Sequence, residues 1–134
     1  MSIKPRCGFA RSYAIYLYFV ALLACGRNAE FEILCRNDMR QLANLVFVLW
    51  TSGQAVKTDQ GLMADLIAVG LDSKVGVFKP ERSRIRNGDV LDPLGHPYRI
   101  RYSKGIVTLW SVGRDGIDDE GEGDDIKYSE QVTD

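Results

Sequence analysis

Between Phe31 and Leu49 apolar side chains return every three or four positions, at Phe31, Leu34, Cys35, Leu42, Leu45, Val46 and Leu49. Arg36, Asn37, Arg40, Gln41 and Asn44 lie between them. This is the period of one helical face, so the spacing predicts a long amphipathic helix over about 29–51 that must bury its stripe against another element. Ser52-Gly53 closes it, because glycine enters the left-handed conformation that ends a helix. A shorter second helix is expected from Thr58 as N-cap, Asp59 in the first turn, and Leu62, Met63, Leu66, Ile67 and Val69 behind them, ending at Gly70.

Beyond Asp72 the pattern changes. Pro80, Gly88, Pro93, Gly95 and Pro97 punctuate the chain, which predicts short strands and turns. Arg82, Arg84 and Arg86 alternate there and read as a basic edge strand or loop. Tyr98, Ile100 and Tyr102 alternate with Arg99 and Arg101, Ser103-Lys104-Gly105 makes a turn, and Ile106 to Ser111 is β-branched and aromatic; together they predict a hairpin. Helices followed by strands place the chain in the α+β class, with a long N-terminal helix packed on a small antiparallel sheet. The chain of 134 residues has room for one such domain and a short leader.

The leader is expected over 1–25, leaving 26–134 as the globular part. Lys4, Arg6 and Arg11 precede an apolar run from Tyr13 to Ala24, the order of an export signal. The run ends in Leu22-Leu23-Ala24-Cys25-Gly26, which resembles a bacterial lipobox and makes Cys25 the residue to be lipidated. The other reading is an uncleaved, short membrane anchor. Both place the rest of the chain in the cell envelope, on the periplasmic face, with the membrane as a partner through this segment or through lipidated Cys25. With Cys7 lost in the signal and Cys25 lipidated, Cys35 is left unpaired, as a small buried hydrophobe on the helix. No CxxC pair is present, so zinc and thioredoxin chemistry have no foothold.

A formal charge of -1 conceals an asymmetry: from Asp115 onward nine acidic residues stand against one basic residue, Lys127. Such a segment repels phosphate backbones, which excludes nucleic acid as its partner, and it can gather a cation. An EF-hand would place Asp118, Glu120, Glu122 and Gly123 at loop positions 1, 3, 5 and 6, but Ser129 then stands at position 12 where the bidentate glutamate belongs.

Thr58-Asp59-Gln60-Gly61-Leu62, then Asp92-Pro93-Leu94-Gly95-His96-Pro97-Tyr98, then Ser111-Val112-Gly113-Arg114-Asp115-Gly116 with Gly121-Glu122-Gly123-Asp124-Asp125-Ile126 resemble, in that order, the major pseudopilin of type II secretion. The resemblance spans roughly residues 36–128. It implies a pseudopilin-like fold ending in a calcium-binding loop, with side-chain ligands at Asp115, Asp124 and Asp125 and carbonyl ligands near Val112 and Ile117. It also implies other pseudopilins or secretion components as partners. Leu94 and His96 replace the Trp and Asn of the family pattern, and Tyr13 stands where pseudopilins carry a glutamate after the Gly8-Phe9 pair.

The function expected is therefore a calcium-stabilised structural protein of the envelope, in a type II secretion or pilus-like apparatus. The alternative is a free-standing envelope lipoprotein that uses the domain as a binding module. Catalysis is not expected: HExxH, GxGxxG and P-loop patterns are missing, and lone His96 has no nucleophile-elbow sequence nearby. Between Gly95 and Pro97, His96 reads as a turn residue.

Overall fold

In the computed structural model, residues 10–56, 59–71 and 84–132 are described. Helix α1 covers Ala10–Thr51, beginning well before the amphipathic stripe. The reason is local: no proline and only one glycine, Gly26, lie between Ala10 and Thr51, so nothing separates the apolar run from the stripe. Cys25 falls inside this helix. Lys4, Arg6, Cys7 and the Gly8-Phe9 pair lie outside the described residues, as do Thr58 and 72–83 with Pro80 and Arg82. Among the described residues no helix is long and apolar enough to cross a membrane.

Two compact units divide the chain, Met1–Glu32 and Ile33–Asp134, and α1 contributes to each. In the second unit α1 buries Cys35, Met39, Leu42, Ala43, Leu45, Val46 and Leu49. Leu34 departs from the expected stripe: it is exposed and shares a surface groove with Ile33, Arg36, Arg40 and Tyr128. The helix closes through hydroxyls, since Thr51 Oγ1 donates to Phe47 O and Ser52 Oγ donates to Leu49 O at 2.8 Å. The carbonyls that the helix end leaves over are taken by backbone N–H groups, Val48 O by Ser52 at 3.0 Å and Leu49 O by Gln54 at 3.2 Å, so the hydroxyls add second bonds.

Helix α2, Asp59–Leu71, buries Leu62, Met63 and Leu66. Strands β1 (Ile85–Arg86) and β2 (Asp89–Val90) form a separate small ladder. They turn through Asn87 and Gly88, whose φ values of 54° and 84° suit a two-residue hairpin. Strands β3 (Arg99–Ser103), β4 (Ile106–Ser111) and β5 (Ile126–Gln131) make an antiparallel sheet in that order. The fold is α+β.

Register divides the sheet's faces. Ile100 pairs with Leu109 and Leu109 with Tyr128, while Arg99 pairs with Trp110 and Trp110 with Lys127. Because side chains alternate across a pleated strand, Ile100, Val107, Leu109, Ser111 and Ile126 share the core face. Arg99, Arg101, Trp110 and Lys127 share the other.

The β3–β4 turn uses Lys104 and Gly105, at φ values of 50° and 77°. Alanine at Gly105 would hold a side chain in the left-handed region, a cost of about 1 kcal/mol. Gly105→Ala is expected to melt roughly 4–8 °C lower by circular dichroism. An unchanged transition would mean that the turn relaxes at no cost.

A buried polar cluster ties α1 to the strands. Asp38 Oδ2 accepts from Arg84 Nη2 and, at 2.8 Å, from Tyr98 Oη. Arg84 also donates from Nε and Nη2 to Leu91 O at 3.0 and 2.7 Å. Arg84 is thus not the solvated edge residue that its alternating spacing suggests. Burial pushes the neighbouring Cys35 thiol up to about 11, so it is a packed hydrophobe without thiolate reactivity at neutral pH.

Candidate metal centre in the β4–β5 loop

The loop from Val112 to Asp125 joins two residues that face each other in the sheet, Ser111 and Ile126. Its ends are therefore fixed, and fourteen residues must close on themselves. Glycines make this possible. At Gly113, φ 65°, a Cβ would lie 2.5 Å from Asp124 Oδ2; at Gly123, φ 60°, one would lie 2.7 Å from Asp119 Oδ2. Gly113→Ala is expected to cost about 1–3 kcal/mol, through a left-handed side chain and the displacement of Asp124. The readout is a lower melting temperature, and a variant as stable as wild type would show the close approach to be immaterial.

The loop's entry is anchored from the Asp92–Tyr98 segment. Asp92, whose side chain is fully buried, accepts from Ser111 Oγ at 2.6 Å, Leu94 N at 2.8 Å and His96 N at 3.0 Å. His96 occupies the turn that Asp92 closes, and a Cβ on Gly116 would meet its Nε2 at 3.3 Å. The second and third blocks singled out in the sequence thus touch in space.

Asp115, Asp119 and Asp124 each present a carboxylate oxygen within 4.8 Å of the others, all three side chains being exposed. Of the expected side-chain ligands, Asp115 and Asp124 are brought together. Asp119, which the sequence reading did not select, completes the group. Asp125 stands apart from this group because its Oδ2 accepts from the backbone N–H of Asp119 at 3.0 Å and of Gly121 at 2.8 Å. Its Oδ1 is shielded from solvent and has no hydrogen-bond partner among the described residues. Val112 is buried at the loop's start, and Ile117 is exposed with its N–H donated to Asp115 Oδ1 at 2.8 Å. Asp124 Oδ2 accepts from Arg114 N at 3.0 Å.

Electrostatics sets Asp119 apart from Asp118 and Glu122. The Asp119 carboxyl is pushed up by desolvation and by the surrounding Asp125, Asp115, Asp124 and Asp118. Asp118 is held below the usual carboxylate range, first by the Trp110 indole and then, against desolvation, by the Glu120 N–H and Arg99. Lys127 lowers Glu122 likewise. Asp119 is thus crowded by its acidic neighbours, whereas Asp118 and Glu122 each have a donor that favours the charged form.

The residues present can hold a metal ion. Three carboxylates whose oxygens meet within 4.8 Å form an all-oxygen donor set, which suits a hard divalent cation. No protein-family model, no curated protein and no solved structure matches the chain.

Proposed function

We propose that the chain is a pseudopilin-like structural protein of the cell envelope, held at the membrane through its N-terminal segment, whose β4–β5 loop closes around calcium. The observation that carries the metal reading is the meeting of Asp115, Asp119 and Asp124 within 4.8 Å. Calcium takes six to eight oxygens in irregular geometry, whereas magnesium demands near-ideal octahedral placement and gives up its water reluctantly. An exposed Gly-rich loop, with carbonyls near Val112 and Ile117 to add to its carboxylates, suits the first better.

The ion's role is to bind the folded loop and so to stabilise it, because bringing these carboxylates together without a cation is unfavourable. Support for the envelope assignment comes from the leader-like N-terminus and from the three blocks that resemble a major pseudopilin. In the fold, Asp59 to Leu62 of the first block open α2 and the other two blocks meet at Ser111 and Gly116.

Two experiments test the reading. The full chain is stripped with chelator and titrated with calcium while its melting is followed. At a hundred times the dissociation constant the gain is about 2.7 kcal/mol, a rise of roughly 10–20 °C; no shift sinks the metal assignment. In cells, cross-linking is expected to join the chain to other pseudopilins or secretion components. Palmitate labelling that is lost in Cys25→Ala, with no such cross-links, would instead make it a free-standing lipoprotein.

A further inference from the structure

The acids that stay out of the carboxylate group are sorted by the sheet beneath them. Asp118 Oδ2 lies 3.1 Å from Arg99 Nε, Glu120 Oε2 lies 3.7 Å from Arg101 Nη2, and Glu122 Oε1 lies 2.8 Å from Lys127 Nζ. Register places all three basic residues on one sheet face with Trp110. The Trp110 indole donates to Asp118 Oδ1 at 2.8 Å, and the Arg101 guanidinium sits 5.4 Å from the centre of the Trp110 ring. Alternate residues of the loop, 118, 120 and 122, are thus tied down onto the sheet.

The backbone between them is tied as well. The N–H groups of Asp119 and Gly121 go to Asp125 Oδ2, and that of Glu120 goes to Asp118 Oδ1 at 3.1 Å. Three successive amides are held by two carboxylates. Glu120 is kept at a φ of 56°, a left-handed conformation that a non-glycine residue adopts at a cost unless its surroundings impose it. Its N–H bond to Asp118 Oδ1 and its side chain's ion pair with Arg101 accompany that conformation here. Since consecutive Cα atoms are about 3.8 Å apart, fixing Asp118 and Glu120 leaves Asp119 little freedom, and its carboxylate is directed to Asp115 and Asp124.

We propose that Arg99, Arg101, Lys127 and the Trp110 indole form a positioning strap, which claims the acids that do not meet the ion and raises the loop's affinity for calcium although it brings positive charge beside the site. This rests on the calcium reading above. The strap makes an unusual demand on the sign of an effect. By Coulomb's law alone, deleting a cation next to an acidic site tightens binding of a divalent ion. Under the strap, the same deletion frees Asp118 and Glu120, lets Asp119 drift, and weakens binding. Exposed ion pairs are individually weak, so the test removes two together.

Calcium affinity of the full chain is measured by titration for wild type, for Arg99→Ala/Arg101→Ala and for Trp110→Phe, which keeps the ring but removes the donor. The double variant is expected to bind about tenfold more weakly, the range seen when groups that orient metal ligands are lost, with Trp110→Phe weaker in the same direction. In a Trp50→Phe background Trp110 is the only indole, and its emission is expected to change on calcium addition in wild-type sheet context and to lose that response in the double variant. Equal or tighter calcium binding by the double variant overturns the strap while leaving the metal reading intact. A wild-type chain that binds no calcium overturns both. Should the double variant fail to fold in chelator, Trp110→Phe decides alone, and its wild-type affinity overturns the proposal.

Discussion

Asp38→Ala is expected to destabilise the fold by about 3 kcal/mol, the lower end of the range for breaking a buried ion pair, and to lower its melting temperature by roughly 12–24 °C. The carboxylate stands between two donors from distant parts of the chain, Arg84 Nη2 and Tyr98 Oη. Removing it leaves the guanidinium without its anion and the phenol without an acceptor in a site where Tyr98 is only 2% exposed. Arg84 retains Leu91 O and some access to water, which is why the loss falls at the low end. Asp38→Asn keeps an acceptor for the phenol and is expected to lose about half as much. Urea melts of the two variants provide the measurement. If Asp38→Ala unfolds at the wild-type midpoint, apolar packing alone holds α1 to the strands.

Asp119→Asn is expected to act in opposite directions with and without calcium. Its carboxyl is pushed up by desolvation and by the four neighbouring aspartates, so in the folded chain it binds a proton more tightly than in the unfolded one. Such a group adds stability below its unfolded pKa and loses it as pH rises through the raised folded value. At neutral pH in chelator the charge therefore opposes folding, and Asp119→Asn raises the melting temperature. In saturating calcium the same substitution removes a ligand and forfeits most of the gain of about 2.7 kcal/mol available at a hundredfold excess over the dissociation constant. Melting at neutral pH with chelator and with calcium reads both signs. A variant that is less stable than wild type under both conditions would show Asp119 to be a structural residue unrelated to an ion.

Elements governed by local periodicity were legible in the sequence. Tyr98, Ile100 and Tyr102 alternate, and Lys104-Gly105 turns the chain, so the β3–β4 hairpin follows from the residues themselves. The α2 segment followed from Leu62, Met63 and Leu66 in the same way. Asn87-Gly88 is a strong short hairpin signal, but the strands it joins are two residues each, too short to show alternation in the sequence. Strand β5 was hidden inside the acidic tail. Ile126, Tyr128, Glu130 and Val132 alternate there, but lysine, serine and glutamate make the run look solvated.

What depends on distant partners could not be read this way. Arg84 is a surface residue by spacing and a half-buried one in the fold, since its counter-ion Asp38 is 46 residues away. The choice of Asp119 over Asp125 in the carboxylate group has the same origin. Both are acids in a Gly-rich loop, and only backbone N–H groups captured by Asp125 Oδ2 set them apart. The one available hint was the placement of glycines at Gly113 and Gly123, where the carboxylates of Asp124 and Asp119 need room.

The most direct measurement is calorimetric titration of the full chain with calcium beside its Asp115→Asn/Asp124→Asn variant. Saturable uptake of a single ion per chain by wild type, and its loss in the variant, is expected if the carboxylates of the β4–β5 loop enclose a cation. Heats of dilution alone from wild type, or the same isotherm from both proteins, would contradict it.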